Sequence, residues 1–252
     1  MQQLSSMTLV LKPTSEGKDL QRSSSLGPYL QGALMEKVDA GYAALLHQLP
    51  FNPYSQYCRW EGDELVWRVN ALTDEAAGHI IEPLRSCDTI ELRSMRTTFD
   101  VVKTSLETQS LKTLLNEINE PGPDKMRIRF CTPTAFKSQG TYVIMPSVRL
   151  ILQNLLMHYG QVYDNNKEGY AETIEFVDKH VRILTYNLHS HYFGRVSGGQ
   201  KSVPAFVGTM TLGMRGPAMT AGLARMLLRF GEYAGVGIKT SMGMGGFQCL
   251  DA

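Results

Sequence analysis

The sequence predicts an α+β protein built as two α+β sandwiches in tandem, closed by a C-terminal glycine-rich loop. Three observations carry that expectation. Residues 1–120 read as strand, helix, strand, strand, helix, strand. Pro121-Gly-Pro123 is the clearest linker in the chain, and a similar order returns in residues 121–252. A four-stranded antiparallel sheet backed by two helices buries such a pattern. At 252 residues, with 43% hydrophobic and 19% charged residues, the chain has core enough for two units of this size.

Residues 7–12 alternate and are β-prone, which gives the first strand. After Pro28, tolerated in a first helical turn, Leu30, Leu34, Val38, Tyr42 and Leu45 recur at helical spacing. Asp39 and Gly41 divide this stretch into two helices. Asp39 caps the second, His47 closes it, and Pro50 and Pro53 stop its continuation. Residues 56–61 and 64–71 read as strands joined by a turn at Gly62-Asp63. Thr73 caps a helix running to about Arg85, and residues 89–98 read as a strand. Residues 102–119 fit either a helix or a long excursion. Beyond the linker, residues 126–132 give a strand and residues 146–159 a helix, with Gly160 past its end. Residues 181–189 and 205–212 read as strands, followed by a helix from Ala218 and a last strand at residues 247–250.

Composition narrows the function. No apolar run is long enough to span a membrane, and Met1-Gln-Gln-Leu-Ser-Ser lacks a secretory pattern. Cys58, Cys87, Cys131 and Cys249 are scattered without a CxxC pair, which fits reduced thiols in the cytoplasm. The formal net charge of +1 hides an asymmetry. Residues 1–120 hold 11 Lys/Arg against 16 Asp/Glu, and residues 121–252 hold 14 against 8. Between Asp178 and Glu232 there is no acid at all. The basic half can steer a polyanion, or it can simply face the acidic half.

From Gly231 to Gly246 the chain packs six of its 23 glycines around Lys239, Thr240 and Ser241. Free amides in such a loop, beside a lysine, make a concavity for phosphate, although glycine content alone also fits a flexible hairpin turn. A Walker loop is excluded because Ile238 precedes Lys239-Thr240. A dinucleotide fingerprint is excluded because a helix, not a strand, precedes the loop.

The run Phe230-Gly-Glu-Tyr-Ala-Gly-Val-Gly-Ile-Lys-Thr-Ser-Met-Gly-Met-Gly-Gly246 resembles the signature of the CRISPR-associated endoribonucleases that cut repeat RNA into guides, within the repeat-associated mysterious protein superfamily. Three more segments match in order: Tyr29-Leu-Gln-Gly-Ala-Leu-Met35 with Leu45-Leu-His-Gln48, then Phe130-Cys-Thr-Pro-Thr-Ala-Phe-Lys-Ser-Gln-Gly140, then Pro204-Ala-Phe-Val-Gly208. Together they span nearly the whole chain and look closest to members that accompany type III systems. The resemblance implies tandem ferredoxin-like domains, 1–120 and 121–252, and metal-free cleavage of repeat RNA. Attack by a ribose 2′-OH would leave a 2′,3′-cyclic phosphate and a 5′-OH. It implies no cofactor, no DNA partner and no membrane partner, and it allows for a type III interference complex as a further partner.

The same resemblance makes His47 the general acid or base, a role suited to a side chain that titrates near neutral pH. Some relatives carry a tyrosine where Met35 stands and a lysine near Asn52, so the cation for the phosphorane either comes from elsewhere or is absent. Lys37, Arg59 and Lys239 are candidates, and Tyr42 and Tyr54 are candidates for orienting the ribose. Gly235, Gly237, Lys239, Thr240, Ser241, Gly243 and Gly245 would hold the RNA backbone, extended by Lys137, Arg195 and Lys201. Tyr192 and Phe193 could stack on bases or belong to a buried strand. His189 and His191 lack a third metal ligand, so no metal site is expected. A non-catalytic repeat-RNA-binding protein of the same superfamily is the alternative.

Overall fold

The computed structural model describes residues 2–14, 26–164, 170–194 and 202–250. The first part contains β1 (Gln3–Pro13), α1 (Gly27–Met35), α2 (Ala40–Gln48), β2 (Tyr54–Glu61) and β3 (Glu64–Ala71). A composite helix follows: α3 (Asp74–Ala76), a π-turn (Ala77–Ile81) and α4 (Glu82–Arg85). Then come β4 (Thr89–Leu92), β5 (Thr97–Ser110) and the short α5 (Leu111–Asn116). The second part contains β6 (Lys125–Thr134), a small hairpin β7 (Phe136–Ser138) and β8 (Thr141–Val143), α6 (Val148–Tyr163) and α7 (Tyr170–His180). It ends with β9 (Val181–Phe193), β10 (Val203–Met214), α8 (Ala218–Ala234) and β11 (Phe247–Leu250).

Apart from the β7–β8 hairpin, the strands form two sheets, in the orders β2-β3-β1-β5-β4 and β11-β6-β10-β9, with every pair antiparallel. In each, the first strand of the unit lies between its third and its last, with helices crossing on one face. This is the ferredoxin-like arrangement, repeated. β4 is an additional edge strand on the first sheet.

Two cores hold these layers. In the first, Met7, Leu9 and Leu11 alternate along β1 and meet Leu30, Leu34, Trp67, Val69, Leu84 and Phe99. In the second, Ile128 and Phe130 pack with Leu152, Leu155, Phe206, Met210, Leu227, Phe230 and Phe247. Each such side chain contributes about 1.5–3 kcal/mol on burial. A one-residue slip would turn an entire strand's set outward, so the alternation fixes register.

Several expectations need correction. The strand expected over residues 89–98 is interrupted by a 3₁₀ turn, Arg93–Met95, and by Arg96 at φ 50. Residues 97–110 form a strand instead, and only residues 111–116 of the unsettled stretch are helical. Gly160 does not end α6; it lies inside it. A Cβ there would fall 2.4 Å from the Tyr170 hydroxyl, so the glycine admits α7 rather than stopping α6. Ser147 is the cap, accepting a hydrogen bond from the Leu150 amide at 3.2 Å.

Candidate active site

Helix α2 delivers His47 to the surface. Asp39 opens the helix by accepting the Gly41 and Tyr42 amides at 2.9 and 3.1 Å. Tyr42 and Leu46 bury one face, and His47 falls in the last turn, exposed. The chain then runs through Leu49-Pro50-Phe51-Asn52-Pro53 into β2. The C-terminal half grips this short link. Phe51 stacks on His158 of α6 with ring centroids 3.9 Å apart and 19° between planes. Asn52 Nδ2 donates to Ser241 Oγ at 3.1 Å. Tyr54, 1% exposed, hydrogen-bonds with Ser241 and accepts Gln31 Nε2 at 3.4 Å. Gln56 Nε2 donates to the carbonyls of Gly27 at 2.8 Å and Ser241 at 3.1 Å, while its Oε1 accepts Trp67 Nε1 at 2.7 Å. The exposed imidazole therefore closes a helix whose following link is fixed across the seam between the two halves.

The glycine-rich loop supplies the other side of that seam, and here the sequence expectation needs revision. Its amides are mostly used inside the protein. Gly235 N–H donates to Gly231 O, Val236 to Gly245 O, Ile238 to Ala135 O and Gly245 to Pro133 O. Gly237 N–H donates to Asn154 Oδ1 at 2.7 Å, and Gly246 N–H to Thr132 Oγ1 at 2.8 Å. Gly235, Gly237 and Gly245 thus do not present an open phosphate nest. Gly243 serves close approach: a Cβ on it would lie 2.7 Å from Gly27 Cα, and one on Gly27 would lie 2.4 Å from Met242 O. Thr240 and Ser241 are 5% and 9% exposed. Lys239 alone of the three polar residues is exposed, held at φ 56 while its carbonyl accepts the Met242 and Met244 amides. A non-glycine residue in that region is uncommon and costs about 1–3 kcal/mol.

The remaining expected residues scatter. Tyr42 packs in the first core and stacks on His79 at 4.1 Å, and burial pushes its phenol up to about 12. Lys37 is exposed in the short connection between α1 and α2, ahead of the Asp39 cap, whereas His47 lies in the last turn of α2. Arg59 pairs with Glu61, and its charge acts on Cys131. Lys137 is exposed on β7. Arg195 and Lys201 lie outside the described residues. Tyr192 is exposed, whereas Phe193 belongs to a small core with Ala135, Val203, Ala205 and Met244.

Sequence reasoning missed a basic sheet face. Along β6, Lys125, Arg127 and Arg129 alternate with buried Met126, Ile128 and Phe130. Cross-strand register sets Gln248, Arg129, Thr209 and Asn187 in one row, and Arg127, Thr211 and Thr185 in the next. Arg182 opposes Gly213, which opposes Lys125. The period-two alternation of cations was visible in the sequence; which residues stand beside them across the sheet was not.

Residues 128–247 match the family model of the CRISPR-associated endoribonuclease Cas6. A CRISPR-associated endoribonuclease Cas6 from Streptococcus thermophilus is 36% identical over 227 residues, which is 90% of this chain and 92% of that protein. The chain belongs to the Cas6 family. A second Cas6, from Mycobacterium tuberculosis (strain CDC 1551 / Oshkosh), is 36% identical over 249 residues, covering 97% of this chain and 78% of that one. Among solved structures, a Cas6 (TTHA0078) product complex superposes with a TM-score of 0.77 at 21% identity, covering 99% of this chain and all of that one. Thermus thermophilus Cas6 (TTHB231) gives 0.71 at 22%, covering 99% of each chain. At these identities the two structures establish the fold. The family establishes the class of enzyme: an endoribonuclease associated with CRISPR, which displaces the non-catalytic alternative. Among the described residues, no helix is long and apolar enough to cross a membrane.

Proposed function

We propose that this Cas6 generates guide RNAs by cutting CRISPR repeat RNA at one phosphodiester without a metal ion. In this reading the first 120 residues form the unit that supplies the proton-transfer group, and residues 121–252 form the unit that grips the strand. The ribose 2′-oxygen forms a bond to phosphorus, its proton passing to a base, and the bond from phosphorus to the 5′-oxygen breaks. His47 exchanges a proton with one of these oxygens, assistance worth about 10²- to 10⁴-fold. The observation that supports it best is the placement of His47: an exposed imidazole at a helix end, on a link pinned through Asn52 to Ser241 of the glycine-rich loop.

Lys239 at the loop tip is the cation best placed by the chain to meet the phosphate. Lys125, Arg127, Arg129 and Arg182 on the open sheet face, with Lys137, form a track for neighbouring phosphates, which positions RNA without reading its sequence. An enzyme acting on transcripts works in the cytoplasm. Association with a type III complex rests on sequence resemblance alone.

The test is a cleavage assay on repeat RNA in excess EDTA, with analysis of the product ends. Cutting that yields a 2′,3′-cyclic phosphate and a 5′-OH is expected. His47→Ala should slow it by about 10²-fold or more while RNA affinity stays within about twofold. Wild-type activity in that variant removes His47 from the chemistry, and EDTA-sensitive cutting overturns the metal-free reading.

A further inference from the structure

His158 stands outside the chemistry yet joins its two sides. It is 7% exposed on α6, in the C-terminal half. On one side its ring meets Phe51, in the link that leaves His47. On the other, its Nε2 lies 3.2 Å from Asn154 Nδ2, and Asn154 Oδ1 accepts the Gly237 amide of the glycine-rich loop. These bonds settle the proton positions. An amide oxygen committed to Gly237 leaves Asn154 only its NH₂ to offer, so Nε2 must accept and the proton resides on Nδ1. Nδ1 points at the backbone of Gly235 without forming a hydrogen bond of good geometry. Burial holds the imidazole neutral, its pKa lowered to about 3. Protonation of Nε2 would set donor against donor at Asn154.

The geometry points to His158 as a positioning residue for the cleavage reaction: clamped between Asn154 and Phe51, it sets the 49–53 link, and with it the His47 imidazole, against the glycine-rich loop. The inference rests on the role of His47 given above. It explains why a polar ring occupies a site that an aliphatic residue would fill with less desolvation. Phe51 is drawn into the C-terminal core, where it packs against that cluster, and Asn52 anchors the next residue. Two successive residues of the link are thereby fixed by the opposite half of the protein. Catalysis depends on such placement, since a displacement of about 1 Å can cost about 100-fold in rate.

Single-turnover cleavage and RNA affinity should be measured on the full chain for His158→Ala, His158→Phe, Phe51→Ala and His47→Ala, beside their melting curves. His158→Ala and Phe51→Ala are expected to slow cleavage by about 10- to 100-fold with affinity within about twofold. His158→Phe, which keeps a ring against Phe51 but gives up the bond to Asn154, should recover part of the loss. Phe51→Ala keeps the test decisive if His158→Ala fails to fold. Unchanged cleavage in Phe51→Ala, affinity falling in step with rate, or a His158→Phe no better than His158→Ala overturns the assignment. If His47→Ala alone leaves cleavage intact, the error lies in the catalytic assignment instead.

Discussion

The two sheets share a strand order and differ in what covers them. In the N-terminal sheet, the face away from its own helices is met by the other half. Ser55 Oγ donates to Tyr233 O at 2.5 Å and Asn70 Nδ2 to Glu232 O at 3.2 Å, both in the last turn of α8. Tyr57, beside them, lies under Gly246 and accepts Gln248 Nε2 at 3.2 Å. The corresponding face of the C-terminal sheet keeps Lys125, Arg127, Arg129 and Arg182 exposed. One repeated topology has thus been divided between docking and display. The difference teaches that the charge asymmetry is met only in part across the seam: Arg229 pairs with Glu117 at 3.9 Å and Arg225 donates to Glu120 O, while Lys125, Arg127, Arg129 and Arg182 look outward.

The docked face can be broken at the glycines. Gly243→Val places a side chain where φ is +95 and where even a Cβ meets Gly27 Cα at 2.7 Å. The strain alone costs about 1–3 kcal/mol, so a lowered melting temperature and abolished cleavage are expected; a wild-type melt would show that the seam yields easily. A smaller effect comes from pH. The unfolded chain protonates His158 near pH 6.5, whereas the folded chain resists to about pH 3. The stability this group supports is present above pH 6.5 and is lost as pH falls from there toward 3. At pH 5 the loss is about 2 kcal/mol, measurable by urea titration at pH 5 and 7, and His158→Phe should flatten that difference. On the displayed face, Arg127→Ala with Arg129→Ala should weaken RNA binding and lower the salt slope by about 0.7 per lost contact for a single strand. An unchanged slope would move the RNA off this sheet.

Much of this was legible. Strands β2 and β3 follow from the tight turn at Gly62-Asp63 that joins them, and the Asp39 cap fixes where α2 begins. The long strand β5 was not, because beyond Val101 it carries Thr, Lys, Ser and Glu on both faces with little burial, so no period separates inside from outside. Glycine density correctly marked a special loop and misled about its purpose. Close backbone contact with another segment and close contact with a phosphate demand the same residue, and only the partners distinguish them. His47 was proposed from its motif. His158 and Phe51 meet only in three dimensions, and nothing local in either segment announces the other.

The touch of Gly27 on Gly243 bears on how such a protein could be rebuilt. Where main chain rests on main chain, neither side has a rotamer to adjust, so a mismatch between parts taken from different relatives has no means of relaxing. A chimera joined at Pro121-Gly-Pro123 should therefore assemble only when the start of α1 and the loop after α8 come from the same parent.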